Sequence, residues 1–104
     1  MTNLDVATFS EKITNSDMVL IDVRTSEEFS EAHIFGATNI DIYSENFISQ
    51  IADLDKSKSY AIYCRSGKRS EAACQIMSDL GFKTTYNLIG GIIKWIEARK
   101  EVIS

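Results

Sequence analysis

Short apolar runs alternate with amphipathic stretches along this chain, and the alternation predicts most of its elements. Met18-Val19-Leu20-Ile21 is continuously apolar and runs into Asp22-Val23, the pattern of a strand buried on both faces. Thr25-Ser26-Glu27-Glu28 follows, a capping box with Phe29 and Ala32 behind it, which predicts a short helix. Ala37 to Ile42 is a weaker strand candidate, and Ser44 is placed to cap a helix carrying Phe47, Ile48 and Ile51 on one face. Ser59 to Tyr63, centred on Tyr-Ala-Ile-Tyr, predicts the next strand. From Lys68 to Leu80 the apolar residues Ala73, Ile76, Met77 and Leu80 recur at i, i+3, i+4 and i+7, one face of a helix. Gly81 supplies a left-handed residue after that helix, and Phe82 can pack back on Met77 in a Schellman arrangement. Thr84 to Leu88 predicts a last strand, and Gly90-Gly91 opens a final helix with Ile92, Ile93, Trp95 and Ile96. Near the start, Thr8 to Glu11 reads as a second capping box and places Phe9 and Ile13 on a first helix.

Strands alternating with helices imply an α/β fold whose parallel sheet is covered on both faces, with four to five strands and about five helices. The chain has 104 residues, which fits a single domain over 1–104 and can bury a core without disulfides or a structural metal. In such sheets ligands sit beyond the carboxyl ends of the strands. Cys64 follows directly on the strand Ser59–Tyr63 and therefore lies at such an end.

Composition narrows the function classes. The net charge of -4 argues against nucleic acid and anionic membranes as partners. No apolar run is long enough to span a bilayer, and the N-terminus lacks the basic and apolar regions of a secretory signal. The expected location is the cytoplasm, where thiols stay reduced. Two cysteines, Cys64 and Cys74, do not make a disulfide scaffold, and with His33 as the sole histidine they are too few for a zinc site. No metal and no cofactor are expected.

The chemistry gathers in Cys64-Arg65-Ser66-Gly67-Lys68-Arg69-Ser70, between the strand and the helix that starts near Lys68. The turn must be tight, and Gly67 is the residue that tolerates positive φ. Successive N–H groups in such a turn form an anion-binding nest, and the helix N-terminus adds its dipole and free N–H groups. Arg65, Lys68 and Arg69 add full positive charges. These features favour a thiolate at Cys64, which makes it a candidate for covalent catalysis. A cysteine ending a buried strand is often only a small hydrophobe, and loop cations are usually a solvated surface. What sets this loop apart is that thiol, glycine, cations and helix start fall in register.

Cysteine phosphatases use a similar cradle, with an arginine six residues after the cysteine that grips phosphate in a bidentate fork. Here the sixth residue is Ser70, and Arg69, one position early, points about 100° away around the helix. The ring suits a smaller guest, a single sulfur atom attached to the cysteine.

Three stretches together carry a family resemblance. They are Ile21-Asp22-Val23-Arg24 with Glu27-Glu28-Phe29 and His33-Ile34-Phe35-Gly36-Ala37; the loop Cys64–Ser70; and Gly81-Phe82 through Asn87-Leu88-Ile89-Gly90-Gly91 to Trp95. Over nearly the whole chain, from Leu4 to Ala98, the sequence resembles a single-domain rhodanese of the thiosulfate sulfurtransferase type. It departs at Phe35, where the family typically has proline, and at Ala32, where glycine usually precedes the histidine.

The resemblance implies a rhodanese-like three-layer fold and an enzyme that moves sulfane sulfur. Cys64 would attack the outer sulfur of thiosulfate, release sulfite and pass its persulfide sulfur to cyanide or a thiol, including a protein thiol. Arg65 and Lys68 would contact the anionic donor, with Arg69 third; Ser66 and Gly67 would complete the ring; Ser70 would cap the helix or donate towards the sulfur. Two other readings use the same residues: a non-catalytic interaction module or persulfide carrier for a protein partner, and a phosphatase or arsenate reductase, which the loop length disfavours. The sequence leaves a monomer and a weak dimer open. Cys74 reads as a buried structural thiol, His33 as structural, Trp95 as core, and Arg24 as the partner of Glu28 or another carboxylate. Gly90-Gly91 reads as a tight turn packed close to the active loop.

Overall fold

A computed structural model covers residues 1–104. Its elements are β1 (Thr2–Leu4), α1 (Val6–Lys12), β2 (Met18–Asp22), α2 (Ser26–Glu31), β3 (Thr38–Asn39), α3 (Phe47–Ala52), β4 (Ser59–Tyr63), α4 (Lys68–Asp79), β5 (Thr84–Leu88) and α5 (Gly91–Glu97). The five strands form one sheet in the order β1-β5-β4-β2-β3, and every pairing is parallel. The α/β architecture with five strands and five helices is the one the alternation predicts.

The layers follow from the two-residue period of the strands. Tyr60, Ile62 and Cys64 face a core shared with Phe47 and Ile51 of α3 and Ala73, Cys74 and Met77 of α4. Ala61 and Tyr63 face the opposite core, with Phe9 of α1 and Ile92 and Trp95 of α5. β4 is buried from Tyr60 through Tyr63 because helices cover both faces, which is why it reads as an unbroken apolar run. Each large side chain removed from water here contributes roughly 1.5–3 kcal/mol before the cost of ordering it.

Several element ends differ from expectation, each for a local reason. β1 was not predicted: three residues at the sheet edge pair with β5, too few to carry a periodic signal. The cap of α1 is Asp5, whose side chain accepts the N–H of Thr8 at 2.8 Å, so Thr8–Glu11 is not a capping box. Asp5 sits one turn earlier and offers the stronger acceptor. Ser44 does not cap α3; its hydroxyl accepts the N–H of Asn46 at 3.1 Å in the preceding turn, and Ile48 faces solvent while Phe47 and Ile51 are buried. The strand expected over Ala37–Ile42 is regular only at Thr38–Asn39, although Ile40 and Ile42 still donate to Asp22 and Val23 carbonyls. At α2, Thr25 and Glu28 form the predicted capping box. At the end of α4, Gly81 has φ +97°, Phe82 N–H donates to Met77 O and Gly81 N–H to Ser78 O, the full Schellman pattern. No helix is long and apolar enough to cross a membrane.

Candidate active site

β4 delivers Cys64 to the carboxyl edge of the sheet, and α4 begins four residues later. Gly67 makes the turn with φ +107°, a left-handed conformation that strains any residue with a Cβ. In this turn the Gly67 N–H points back at the cysteine and donates to Cys64 Sγ at 3.1 Å. One turn into α4 the hydroxyl of Ser70 lies 3.3 Å from the same sulfur. Cys64 and Ser70 are both buried. A negative sulfur here has two donors and the amino end of a twelve-residue helix, all of which stabilise it.

α5 shapes the loop from the other side. Its Ile92 N–H donates to the carbonyl of Cys64 at 2.9 Å, and Ile93 N–H to that of Arg65 at 3.2 Å. The two carbonyls are thus engaged by the first turn of α5. The approach is close because residue 91 is glycine: a Cβ there would stand 2.4 Å from Arg65 O and 2.5 Å from Cys64 O. The expected packing of Gly90-Gly91 against the active loop is therefore a specific contact with two carbonyls.

The other predicted site residues separate into two groups. Arg65, Ser66 and Lys68 are exposed, and neither Arg65 nor Lys68 is held in an ion pair. Arg65 borders a groove of about 310 Å³ between α2 and α5, where Ile93 and Ile96 form an apolar wall. Arg69 turns instead to α2, where its guanidinium donates to both carboxylate oxygens of Glu28 at 2.7 and 2.9 Å. It also lies 5.6 Å from the ring of Tyr43. The Arg69 fork holds the Glu28 carboxyl at about 2, well below the usual range.

Glu28 therefore pairs with Arg69, and Arg24 pairs with Asp22. Arg24 donates to both Asp22 oxygens and, through Nη2, to Ala32 O at 2.6 Å. Asp22 is two residues away on the same strand end and already buried, whereas Glu28 faces α4. His33 stacks on Phe29, with ring centroids 3.7 Å apart, and its Nδ1 lies 2.8 Å from Phe29 O, a structural setting. Cys74 is fully buried in mid-helix, where burial pushes its thiol up to about 11. No three His, Cys, Asp or Glu side chains gather to hold a metal ion.

The sequence reading missed Asn87 as a site residue. It is 3% exposed on β5, and its Oδ1 lies 2.5 Å from the Ser70 hydroxyl. A polar residue between Tyr86 and Leu88 in a buried strand was the available signal.

A parallel α/β sheet that presents a buried cysteine to a backbone N–H and a hydroxyl at a strand-to-helix turn defines a class: α/β domains with a cysteine loop at the carboxyl edge of the sheet. Residues 5–98 match the family model of the rhodanese-like domain, and the chain belongs to that family. The protein YtwF of Bacillus subtilis is 38% identical over 93 residues, 88% of this chain and 87% of that one. The thiosulfate sulfurtransferase GlpE of Coxiella burnetii is 34% identical over 85 residues, 82% of this chain and 78% of that one. Among solved structures, a rhodanese-related protein from Thermoplasma volcanium superposes with a TM-score of 0.79 at 30% identity, covering 99% of this chain and 98% of that one.

Proposed function

We propose that this protein is a rhodanese-type sulfurtransferase that carries sulfane sulfur on Cys64. The carrying observation is the buried Cys64 Sγ with the Gly67 N–H at 3.1 Å and the Ser70 hydroxyl at 3.3 Å. Membership of the rhodanese-like family, with GlpE among the relatives, supports the same reading.

In the first half-reaction the Cys64 thiolate attacks the outer sulfur of an anionic donor such as thiosulfate. A new S–S bond forms, the donor's S–S bond breaks, and sulfite leaves with the electron pair. The negative charge moves to the outer sulfur of the persulfide, within reach of the loop donors. In the second half-reaction cyanide or a thiol, including a protein thiol, attacks that outer sulfur, and Cys64 returns as thiolate. Electrons balance without an external oxidant, and the two-stage scheme predicts ping-pong kinetics. Exposed Arg65 and Lys68 draw the donor to an acidic protein, and Ser66 and Gly67 complete the ring. Arg69, held by Glu28, braces the loop against α2. The setting for this chemistry is the reducing cytoplasm, which supplies thiol acceptors.

Sulfur is favoured over phosphate as the guest. Ser70 occupies the sixth position after Cys64, and the neighbouring guanidinium is committed to Glu28. Incubation with thiosulfate followed by intact-mass measurement is expected to add one sulfur to wild type and none to Cys64→Ser. Equal labelling of the variant, or no label from thiosulfate, polysulfide or glutathione persulfide, overturns the proposal.

A further inference from the structure

Ser70 has one hydroxyl proton and three acceptors around it: Asn87 Oδ1 at 2.5 Å, Gly67 O at 3.1 Å and Cys64 Sγ at 3.3 Å. It cannot serve all three at once. Asn87 is fixed from behind, its Nδ2 donating to Asn3 Oδ1 at 3.1 Å and to Gly67 O at 3.4 Å. That orientation leaves Oδ1 facing the serine as an acceptor. A buried asparagine on a sheet face is costly unless its polar atoms are satisfied, and this one is satisfied by β1 on one side and by the active loop on the other.

We propose that Asn87 is a positioning residue for Cys64: it holds the Ser70 hydroxyl beside the sulfur and competes with that sulfur for the hydroxyl's proton. While Cys64 is a thiol, the sulfur carries its own hydrogen and Ser70 donates to Asn87. When the sulfur ionises, the hydroxyl turns to it, because a hydrogen bond to a charged acceptor is the stronger one. Asn87 Oδ1 then loses its partner in a dry site, so Asn87 offsets part of what Ser70 gives the thiolate. The proton stays on Ser70 Oγ throughout; only the acceptor changes. On the sulfur-carrying reading proposed above, the inner sulfur becomes neutral in the persulfide and the hydroxyl returns to Asn87. Asn87 then penalises the bare thiolate and not the loaded form, and so shifts the balance towards sulfur loading.

The test is a double-mutant comparison of Ser70 and Asn87. Charged and titratable groups near Cys64 are common to every variant: Arg65 and Lys68 in the loop, Arg69 and Cys74 on α4, Glu28 through Arg69, and the Asp22–Arg24 pair at the end of β2. α3 presents apolar Phe47 and Ile51, and β5 presents neutral Thr85 and Asn87. The readout is the rate of Cys64 alkylation by iodoacetamide against pH on the full chain, with the modified residue identified by mass.

Ser70→Ala is expected to move the midpoint of the pH–rate profile up, and Asn87→Leu to move it down. Each shift corresponds to a roughly three- to ten-fold rate change below the midpoint, the worth of one hydrogen bond. The double variant is expected to follow the Ser70→Ala profile. An upward shift for Asn87→Leu, or the same shift in both backgrounds, overturns the inference. If Asn87→Leu does not fold, Asn87→Asp replaces it: its midpoint is expected to rise more with Ser70 present than with Ser70→Ala, and an equal rise is the overturning result. Because alkylation needs no sulfur donor, absence of a persulfide refutes the proposed function while this comparison still decides the role of Asn87.

Discussion

Cys64 and Cys74 lie in the same core layer, both buried, yet their surroundings prepare them for opposite fates. Cys74 sits within α4, where neighbouring N–H groups are spent on the helix and burial pushes the thiol up to about 11. Cys64 precedes that helix, where N–H groups are unspent and one of them points at its sulfur. Burial therefore does not separate Cys64, the thiol proposed to react, from Cys74. The difference is which end of the helix geometry the sulfur meets, together with the exposed cations Arg65 and Lys68 at the outer edge of its loop.

The strongest way to break that comparison is to exchange the two thiols for serine. Cys64→Ser is expected to lower sulfur transfer from thiosulfate to cyanide by about three orders of magnitude or more, because the proposed nucleophile is gone. Cys74→Ser should keep the rate within about three-fold while losing some stability. Comparable losses in both would mean that the two cysteines act as a pair.

Gly91→Ala attacks the support that Cys64 has and Cys74 lacks. The added methyl would meet two carbonyls at 2.4–2.5 Å, and φ at this residue is +60°. A cost of about 2–4 kcal/mol follows from overpacking plus backbone strain. The expected outcome is a melting temperature lower by more than about 10 °C, with sulfur loading severely reduced. Normal loading in this variant would show that α5 does not shape the loop.

The alkaline limb of stability isolates Cys74. Its folded thiol titrates at about 11 against an ordinary 9.0, so the folded state holds its proton longer than the unfolded chain. Stability from this source is complete below about 9 and is lost as pH rises through about 11. Two pH units at ~1.36 kcal/mol each give about 2–3 kcal/mol. Denaturant titrations at pH 8 and 11 should show this loss in wild type and a flatter profile in Cys74→Ala. An equally steep fall in the variant would assign the loss to other groups.

A smaller effect belongs to the rim of Cys64. Replacing Arg65 and Lys68 together by alanine should raise KM for thiosulfate about ten-fold at low salt and less as ionic strength screens the exposed charges. An unchanged KM would mean that the donor enters without them.

The same contrast explains what the sequence reveals. Cys64, Gly67 and the start of α4 are neighbours in the chain, so their register, and with it the anion loop, is legible from residue order. The strands β2 and β4 are legible because burial on both faces leaves nearly continuous apolar runs, and β5 because Thr84, Thr85 and Tyr86 are strand formers, although Asn87 interrupts the apolar pattern. Asn87, 17 positions after Ser70 in sequence, meets it only because β5 folds alongside β4 under α4. Arg69 and Glu28 are 41 positions apart, and residue order gives no reason to prefer that pair over Arg24 with Glu28. Local chemistry can be read from order, but pairing among polar side chains waits on the sheet.

The Arg69–Glu28 pair gives the smallest predicted effect and the sharpest test of what braces the loop. α2 buries no residue fully, so it is held by its capping box, by the stacking of Phe29 on His33, by the Arg24 bond to Ala32 and by this pair. Glu28 serves twice, capping α2 and clamping α4. Glu28→Gln keeps the shape and the capping hydrogen bond but removes the charge that matches Arg69. For a partly exposed bidentate pair a loss of about 1 kcal/mol at neutral pH is expected. In wild type the Glu28 carboxyl is held at about 2 against an ordinary 4.5, so the contribution is present above about 4.5 and disappears as pH falls towards 2. Wild type and Glu28→Gln should therefore converge in stability across that acid window. Sulfur transfer at neutral pH should fall only about two- to five-fold, since the sulfur's own donors, Gly67 and Ser70, are untouched. A much larger loss would move Arg69 from the brace to the donor site, and the division between the rim cations and the braced one would have to be redrawn.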